Sequence, residues 1–466
     1  MKFKKIVSAL LVAAMSVSLV ACGSSNNGNS NGKTTNKDSG TEASDDGKSG
    51  DNEDALVIWT ITNDQKTQAE KWSEETGNKV DVTVIEPGDY PTKLQATLTG
   101  GSKDVDVIVG EPQMLQDFFD AGFFEDLDQA PYNAQDYAGQ IVDYVWEVGQ
   151  DADGHQRAIS YQITPAGIYY RRDIAQEVFG TDDPVEIGKL FADYDTVLQT
   201  AQTLKEAGYR CFASDGEITY FSGQSAWVVD GALNVDQARY DYMDLCIELY
   251  QQDLTAYASQ WSTPWYQAMG GPVPVLTAED NAWSEDFETE TADRDTTEVF
   301  AYGLPAWGVL TMRDHVEGTD TEGKWGVCSG PSYGFGGGTY LGISTFSEKK
   351  DLAWDFIKWC TLNEDTADWW IEDSQGDTVS LVSALEKHKD DENAIYGGQK
   401  LYQFWLEQAE GIDYSKVTRY DKQIGDAWGE AISKIKTGEM TKDEAIANFY
   451  DVVEATFPGE VTVNRD

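Results

Sequence analysis

The chain has 466 residues, 40% of them hydrophobic and 12% aromatic, with 15 Trp and 23 Tyr. That length exceeds what one core ordinarily serves, so two lobes or domains are expected, with aromatic surface to spare. A formal net charge of −48 argues against nucleic acid and anionic membrane surfaces as partners, and is accounted for by solubility and self-repulsion outside the cell.

The chain begins with Lys2, Lys4 and Lys5 and an apolar run from Ile6 to Val20 broken only by small Ser and Ala. This is a charged segment followed by an apolar one too short to span a bilayer comfortably. Leu19-Val20-Ala21-Cys22 closes it and resembles a bacterial lipobox. The resemblance implies cleavage after residue 21 and diacylglycerol on the Cys22 sulfur; two acyl chains hold where one would not. Gly23 to Asp54 is almost free of apolar residues. It cannot offset its ordering entropy by burial, so residues 22–54 are expected to form a lipidated, disordered tether. Four further cysteines remain, Cys211, Cys246, Cys328 and Cys360, which allow three disulfide pairings. Cys246 and Cys360 stand among apolar residues at helical spacing and read as buried free thiols. No Cys-x-x-Cys pair occurs, and the three histidines are scattered at 155, 315 and 388. No metal site and no cofactor are expected.

From residue 55 strand and helix alternate. Ala55 to Trp59 is a short apolar strand, and Thr62 or Asn63 can cap a helix whose buried stripe includes Ala69 and Trp72 and which Gly77 stops. Val80 to Ile85 is the next strand, Tyr90 to Leu98 a helix, Val105 to Val109 a third strand, and Pro112 to Gly122 another helix. The pattern predicts an α/β layer with a mostly parallel sheet. Ligands on such sheets sit beyond the carboxyl ends of the strands, here Trp59 to Asn63 and Gly110 to Gln113.

Val57-Ile58-Trp59 and Trp72 to Val80 resemble the opening of extracellular solute-binding proteins of carbohydrate ABC transporters. Asp106 to Val109, Ala121 to Leu127, Ile168 to Asp173, Gly323 to Val327, Tyr340 to Ser344 and Ala353 to Lys358 continue that likeness in order. The match is to the oligosaccharide-binding cluster that includes maltodextrin-binding proteins. The resemblance implies an α/β fold of two lobes, each a sheet flanked by helices, joined by hinge crossings. Residues 55–163 plus 336–375 would form lobe 1, and 164–335 plus 376–466 lobe 2.

Asp151-Ala152-Asp153-Gly154-His155 has the look of a calcium loop, but its carboxylates do not continue. Asp-Gly reads better as a hairpin turn between Trp146-Glu147-Val148 and Arg157 to Ser160. Pro165 biases Thr164 to an extended conformation, and the resemblance puts the first crossing between lobes there. Helices follow at Tyr194 to Ala207 and Asp236 to Gln251, and Trp261, Trp265 and Tyr266 fall in a helical stretch near Pro264. Asp280 to Asp295 is an acidic, solvated loop. Tyr302 to Gly308 resembles the family segment whose strand delivers an aromatic, Trp307, to the cleft. Gly330 to Tyr340 is glycine-rich without the Lys-Ser/Thr of a phosphate loop. It reads as a return crossing whose backbone approaches a ligand. Asp351 to Leu362 is an amphipathic helix. Gly376-Asp377 resembles a family turn that reaches the cleft. The last helices, Leu401 to Ala409, Asp421 to Lys436 and Thr441 to Ala455, are expected on lobe 2, with Thr441 and Glu444 a capping box.

A sugar offers hydroxyls at its rim and C–H patches on its faces, so its site needs flat aromatics and short polar groups. The candidates are Trp59, Asn63, Glu111, Tyr161, Thr164, Trp227, Trp307, Phe335, Gly337, Tyr340 and Asp377. The expected function is capture of a sugar, an oligosaccharide given the aromatic richness, between two lobes that close by a hinge. The resemblance implies delivery to the permease of an ABC transporter by a monomer held to the membrane only by its lipid, on the outer face of the cell. No Walker A pattern occurs, so ATP is hydrolysed elsewhere. Two alternatives stand beside this reading: a surface glycoside hydrolase using two of the 82 acidic residues, and the same fold binding a cationic solute such as a polyamine.

Overall fold

The structure is a computed structural model that describes residues 54–223 and 225–465. The lipobox with Cys22, and the tether up to residue 53, lie outside the described residues. Among these, nine strands build two sheets: β1 Leu56–Thr60, β2 Val80–Val84, β3 Val107–Gly110, β4 Ala158–Ser160, β5 Ala166–Arg171, β6 Arg210–Phe212, β7 Val299–Pro305, β8 Trp325–Cys328 and β9 Tyr340–Ile343. The first sheet runs β2-β1-β3-β9-β4 and the second β8-β5-β7-β6. Helices flank both.

In the first sheet β1 is parallel to β2 and β3, while β9 runs antiparallel to β3 and β4. The sheet is therefore mixed rather than mostly parallel. The chain leaves it after β4, builds the second sheet, and returns as β9 in the opposite direction. All four residues of β3 are buried, as expected of a strand covered on both faces. After β1 the Thr62 hydroxyl caps the helix Asn63–Thr76 by accepting from the Gln65 N–H, and Gly77 ends it at φ 76 with its N–H on the Ser73 carbonyl. Ala69 and Trp72 face inward, and the Trp72 ring meets Phe356 of the helix Lys350–Leu362 edge-on at 5.3 Å.

The stretch before Asp151 departs from the expected hairpin. Asp143–Val148 is a helix, and β4 pairs with β9 instead. The turn itself forms, because Asp151 Oδ1 accepts from the N–H groups of Asp153 and His155 while Gly154 takes φ 83. The acidic loop is not featureless either: it contains the short helix Phe287–Thr291, and Arg294 closes it with a two-pronged bond to Asp280.

Three segments run between the sheets and bind one another. Pro165 and Phe335 form an antiparallel bridge, the Gly336 N–H donates to the Thr164 carbonyl, and the Ala166 N–H to the Gly334 carbonyl. From the third segment, the Ser380 N–H donates to the Tyr161 carbonyl at 2.7 Å and the Thr378 hydroxyl to the Ile163 carbonyl at 2.6 Å. One buried cluster is continuous from the first sheet to the inner side of the second. Another fills the outer side of the second sheet, where the helices Asp421–Lys436 and Lys442–Thr456 bring Trp428 and Phe449. The capping box at Thr441 and Glu444 is formed. The helix Leu401–Ala409 sets Trp405 6.0 Å from the Tyr169 ring of β5. Cys211, Cys246, Cys328 and Cys360 are all buried and unpaired.

Candidate functional site

β3 ends at Gly110, and Glu111 then opens the helix Pro112–Asp120. β7 ends at Pro305, and Trp307 then opens the helix Gly308–Val316. Each strand end thus delivers one side chain, and both arrive at the glycine-rich crossing. A methyl group on Gly337 would lie 3.3 Å from Glu111 Oε1 and 3.4 Å from Trp307 Nε1. Gly337 stands at φ 74, in the left-handed region that favours glycine. The Trp307 indole N–H is fixed by the Gly336 carbonyl at 3.0 Å, and the Tyr220 ring lies against Gly336, where a Cβ would clash with it at 2.2 Å. Glu111, Trp307 and Gly337 are therefore brought to one point, with Tyr220 beside them.

Burial raises the Glu111 carboxyl above the usual range, against hydrogen bonding from Gln113 and the charge of Lys422. Asp64, one residue beyond Asn63, is raised for the same reason, against the opposing charge of Arg313. Desolvated carboxyls with spare lone pairs are strong acceptors for hydroxyl donors. Trp307 continues into an aromatic bank. Trp261 stacks on it at 5.8 Å and 28°, and Trp265 lies 4.8 Å behind Trp261. Trp265 is in turn held by Glu217, whose Oε1 accepts from the indole at 2.7 Å and from the Ser214 hydroxyl at 2.9 Å. Glu217 Oε2 has no partner among the described residues, and burial pushes this carboxyl up to about 7.

The other candidates fall elsewhere. Trp59 is buried at the end of β1 with Lys93 over its ring at 5.2 Å, and Asn63 is exposed on the first turn of its helix. Tyr161, Thr164 and Asp377 belong to the crossings and Tyr340 opens β9; all four are buried. The Tyr161 ring sits edge-on to Trp370 at 5.8 Å, and the Tyr340 hydroxyl donates to the Val145 carbonyl. The Thr164 N–H donates to the Tyr144 oxygen. Asp377 is fully buried and accepts from the Trp370 indole, the Thr378 N–H and Gln162, and burial pushes it up to about 7. The geometry gives this carboxylate the work of tying crossings together. Gln162 also accepts from Thr339, so one network spans all three segments. Trp227 is buried against Trp428 and Phe449 with the Arg239 guanidinium 3.7 Å over its ring. Phe335 lies between Tyr144 and Tyr414.

Tyr220 beside Glu111, Trp307 and Gly337, and Glu217 behind the aromatic bank, are not among the sequence candidates. Sequence reasoning also placed Trp261 in a helix, whereas the helix is Thr263–Gly270 and Trp261 precedes it at φ 69. Ser262 followed by Thr263-Pro264 was the available signal for a helix start.

Two sheets flanked by helices, bound by three crossings, with groups from both sides meeting over a glycine-rich segment, define a two-lobe periplasmic-binding fold. Solved structures share it. An extracellular solute-binding protein family 1 matches with TM-score 0.69 at 18% identity, over 86% of this chain and 99% of its own. The ABC transporter associated binding protein from B. animalis subsp. lactis, in complex with beta-1,6-galactobiose, matches with TM-score 0.65 at 18% identity, over 88% and 100%. The galacto-N-biose-/lacto-N-biose I-binding protein of the ABC transporter from Bifidobacterium longum matches with TM-score 0.63 at 16% identity, over 89% and 100%. A comparison with curated protein sequences finds no match. Residues 67–394 match the family of bacterial extracellular solute-binding proteins, and the chain belongs to that family.

Proposed function

We propose that this protein captures an oligosaccharide between its lobes and presents it, unconverted, to the permease of an ABC transporter. The carrying observation is the convergence of Glu111 and Trp307 on Gly337. A carboxylate from one strand end and an indole from the other are what a pyranose needs, the first for hydroxyls and the second for a C–H face. Trp261, stacked on Trp307, adds aromatic area beside the cluster, in keeping with a ligand of more than one ring. Neighbours of this fold from bifidobacteria carry beta-1,6-galactobiose and lacto-N-biose, which supports a sugar over a polyamine. Closure of the lobes on the ligand gives the permease a state to recognise. The lobes meet along the crossings, lobe 1 as 55–163 plus 336–375 and lobe 2 as 164–335 plus 376–466. Among the described residues no helix is long and apolar enough to cross a membrane. The anchor in this reading is the diacylglycerol on Cys22, and the body works as a monomer outside the cell.

Substitution tests the site. Trp307→Ala removes a stacking face worth about 1 kcal/mol or more, so sugar affinity should fall about fivefold or further in a variant that still folds and melts cooperatively. An affinity within twofold of the wild type would remove Trp307 from the site.

A further inference from the structure

Trp227 and Phe335 lie away from Glu111, yet the structure puts both in one place. With Tyr220, Tyr333, Arg239 and Lys416 they line a cavity of about 430 Å³, within the roughly 300–1,000 Å³ of small-molecule sites. Tyr220 joins this cavity to the cleft, since its ring lies on Gly336, the residue whose carbonyl holds the Trp307 indole. We propose that the cavity is a distal subsite, which takes the far units of an extended saccharide whose near units occupy Glu111 and Trp307. The proposal rests on the sugar reading above and specifies the ligand's length.

The walls have the required chemistry. Tyr333 is 58% exposed, yet its ring is seated on Gly411, where a Cβ would lie 2.4 Å from it. An aromatic face that is held in place but uncovered is a stacking surface. The Arg239 guanidinium lies over the buried Trp227 ring and donates to the Ser225 carbonyl and to Asp236, so the two side chains together form the floor. At the rim Lys416 and Asp413 form an exposed pair at 3.4 Å. They supply a donor and an acceptor for hydroxyls.

One side of the cavity is the segment 411–421. The hydrogen bond from Gln116 Nε2 to the Tyr414 hydroxyl, at 2.6 Å, ties it to the helix that Glu111 opens. Lys422, the next residue, acts on the Glu111 carboxyl with its charge. The wall of the cavity thus runs up to the central cluster.

The test is titration of the purified chain and its Tyr333→Ala and Lys416→Ala variants with two series of two, three and four units, maltose to maltotetraose and the β-1,6-linked galacto-oligosaccharides. Affinity should rise with length in the series that binds. Tyr333→Ala should lower the ratio of four-unit to two-unit affinity about fivefold. Tyr333 is exposed, so a melting curve separates this effect from misfolding. Affinity independent of length, or equal loss at every length, would overturn the subsite while leaving the sugar reading intact. No binding of any member would overturn the sugar reading and the subsite together.

Discussion

Glu217 is a buried carboxyl whose charge state the stability of the fold should report. Its ordinary pKa of 4.5 rises to about 7 in the folded chain because burial penalises the charged form. Between those values the folded state holds a proton that the unfolded state has released. This carboxyl's contribution is therefore most favourable at low pH and is lost as pH rises through about 7. Glu217→Gln keeps an acceptor for the Trp265 indole and removes the buried charge. The stability of the variant relative to the wild type should increase from about pH 5 to about pH 8 in thermal melts. A difference that does not change with pH would show that Glu217 does not titrate in this range. The same scale shows how far side-chain roles were legible. Trp307 and Glu111 could be placed together from the sequence because each follows a strand end. Asp377 and Tyr340 are singled out by the same residue logic, and the structure gives each an intramolecular partner, because a buried Asp or Tyr can hold chain segments together as well as bind a sugar. The partner that decides between them, such as Gln162 for Asp377, lies 215 positions away.

At the scale of elements, the glycine-rich crossing carries the clearest expectation. Gly337→Ala places a side chain at φ 74 and crowds both Glu111 and Trp307. The left-handed conformation alone costs about 1–2 kcal/mol, so both the melting temperature and sugar affinity should fall. Gly139→Ala, with open space around its Cβ, should change neither. Equal behaviour of the two variants would contradict the close approach at Gly337. Most elements could be read locally. The helix Asn63–Thr76 has its Thr62 cap, its Ala69 and Trp72 stripe and its Gly77 stop in one window of sequence. The direction of β9 could not be read that way, since its partners β3 and β4 lie some two hundred residues earlier. The helix Asp143–Val148 was hidden by a turn signal that was correct in itself but joined a helix to a strand.

Across the whole molecule, the distribution of roles follows from the crossings. Two sheets each have their own order, and three hydrogen-bonded segments join them while strand ends from both sides meet at the glycine-rich crossing. The proposed lipid anchor belongs to this scale too. Cys22→Ser should abolish incorporation of radiolabelled palmitate and release the protein from the membrane fraction into the soluble one. Undiminished labelling would place the lipid on another residue. The account stands or falls on the ligand, and calorimetric titration of the purified chain with β-1,6-galactobiose, lacto-N-biose and the maltose series reads it directly. Saturable one-to-one binding of at least one of these sugars, with the sugar recovered intact, is the predicted result. Silence across the set, with polyamines or peptides raising the melting temperature instead, or recovery of cleaved sugar, would contradict it.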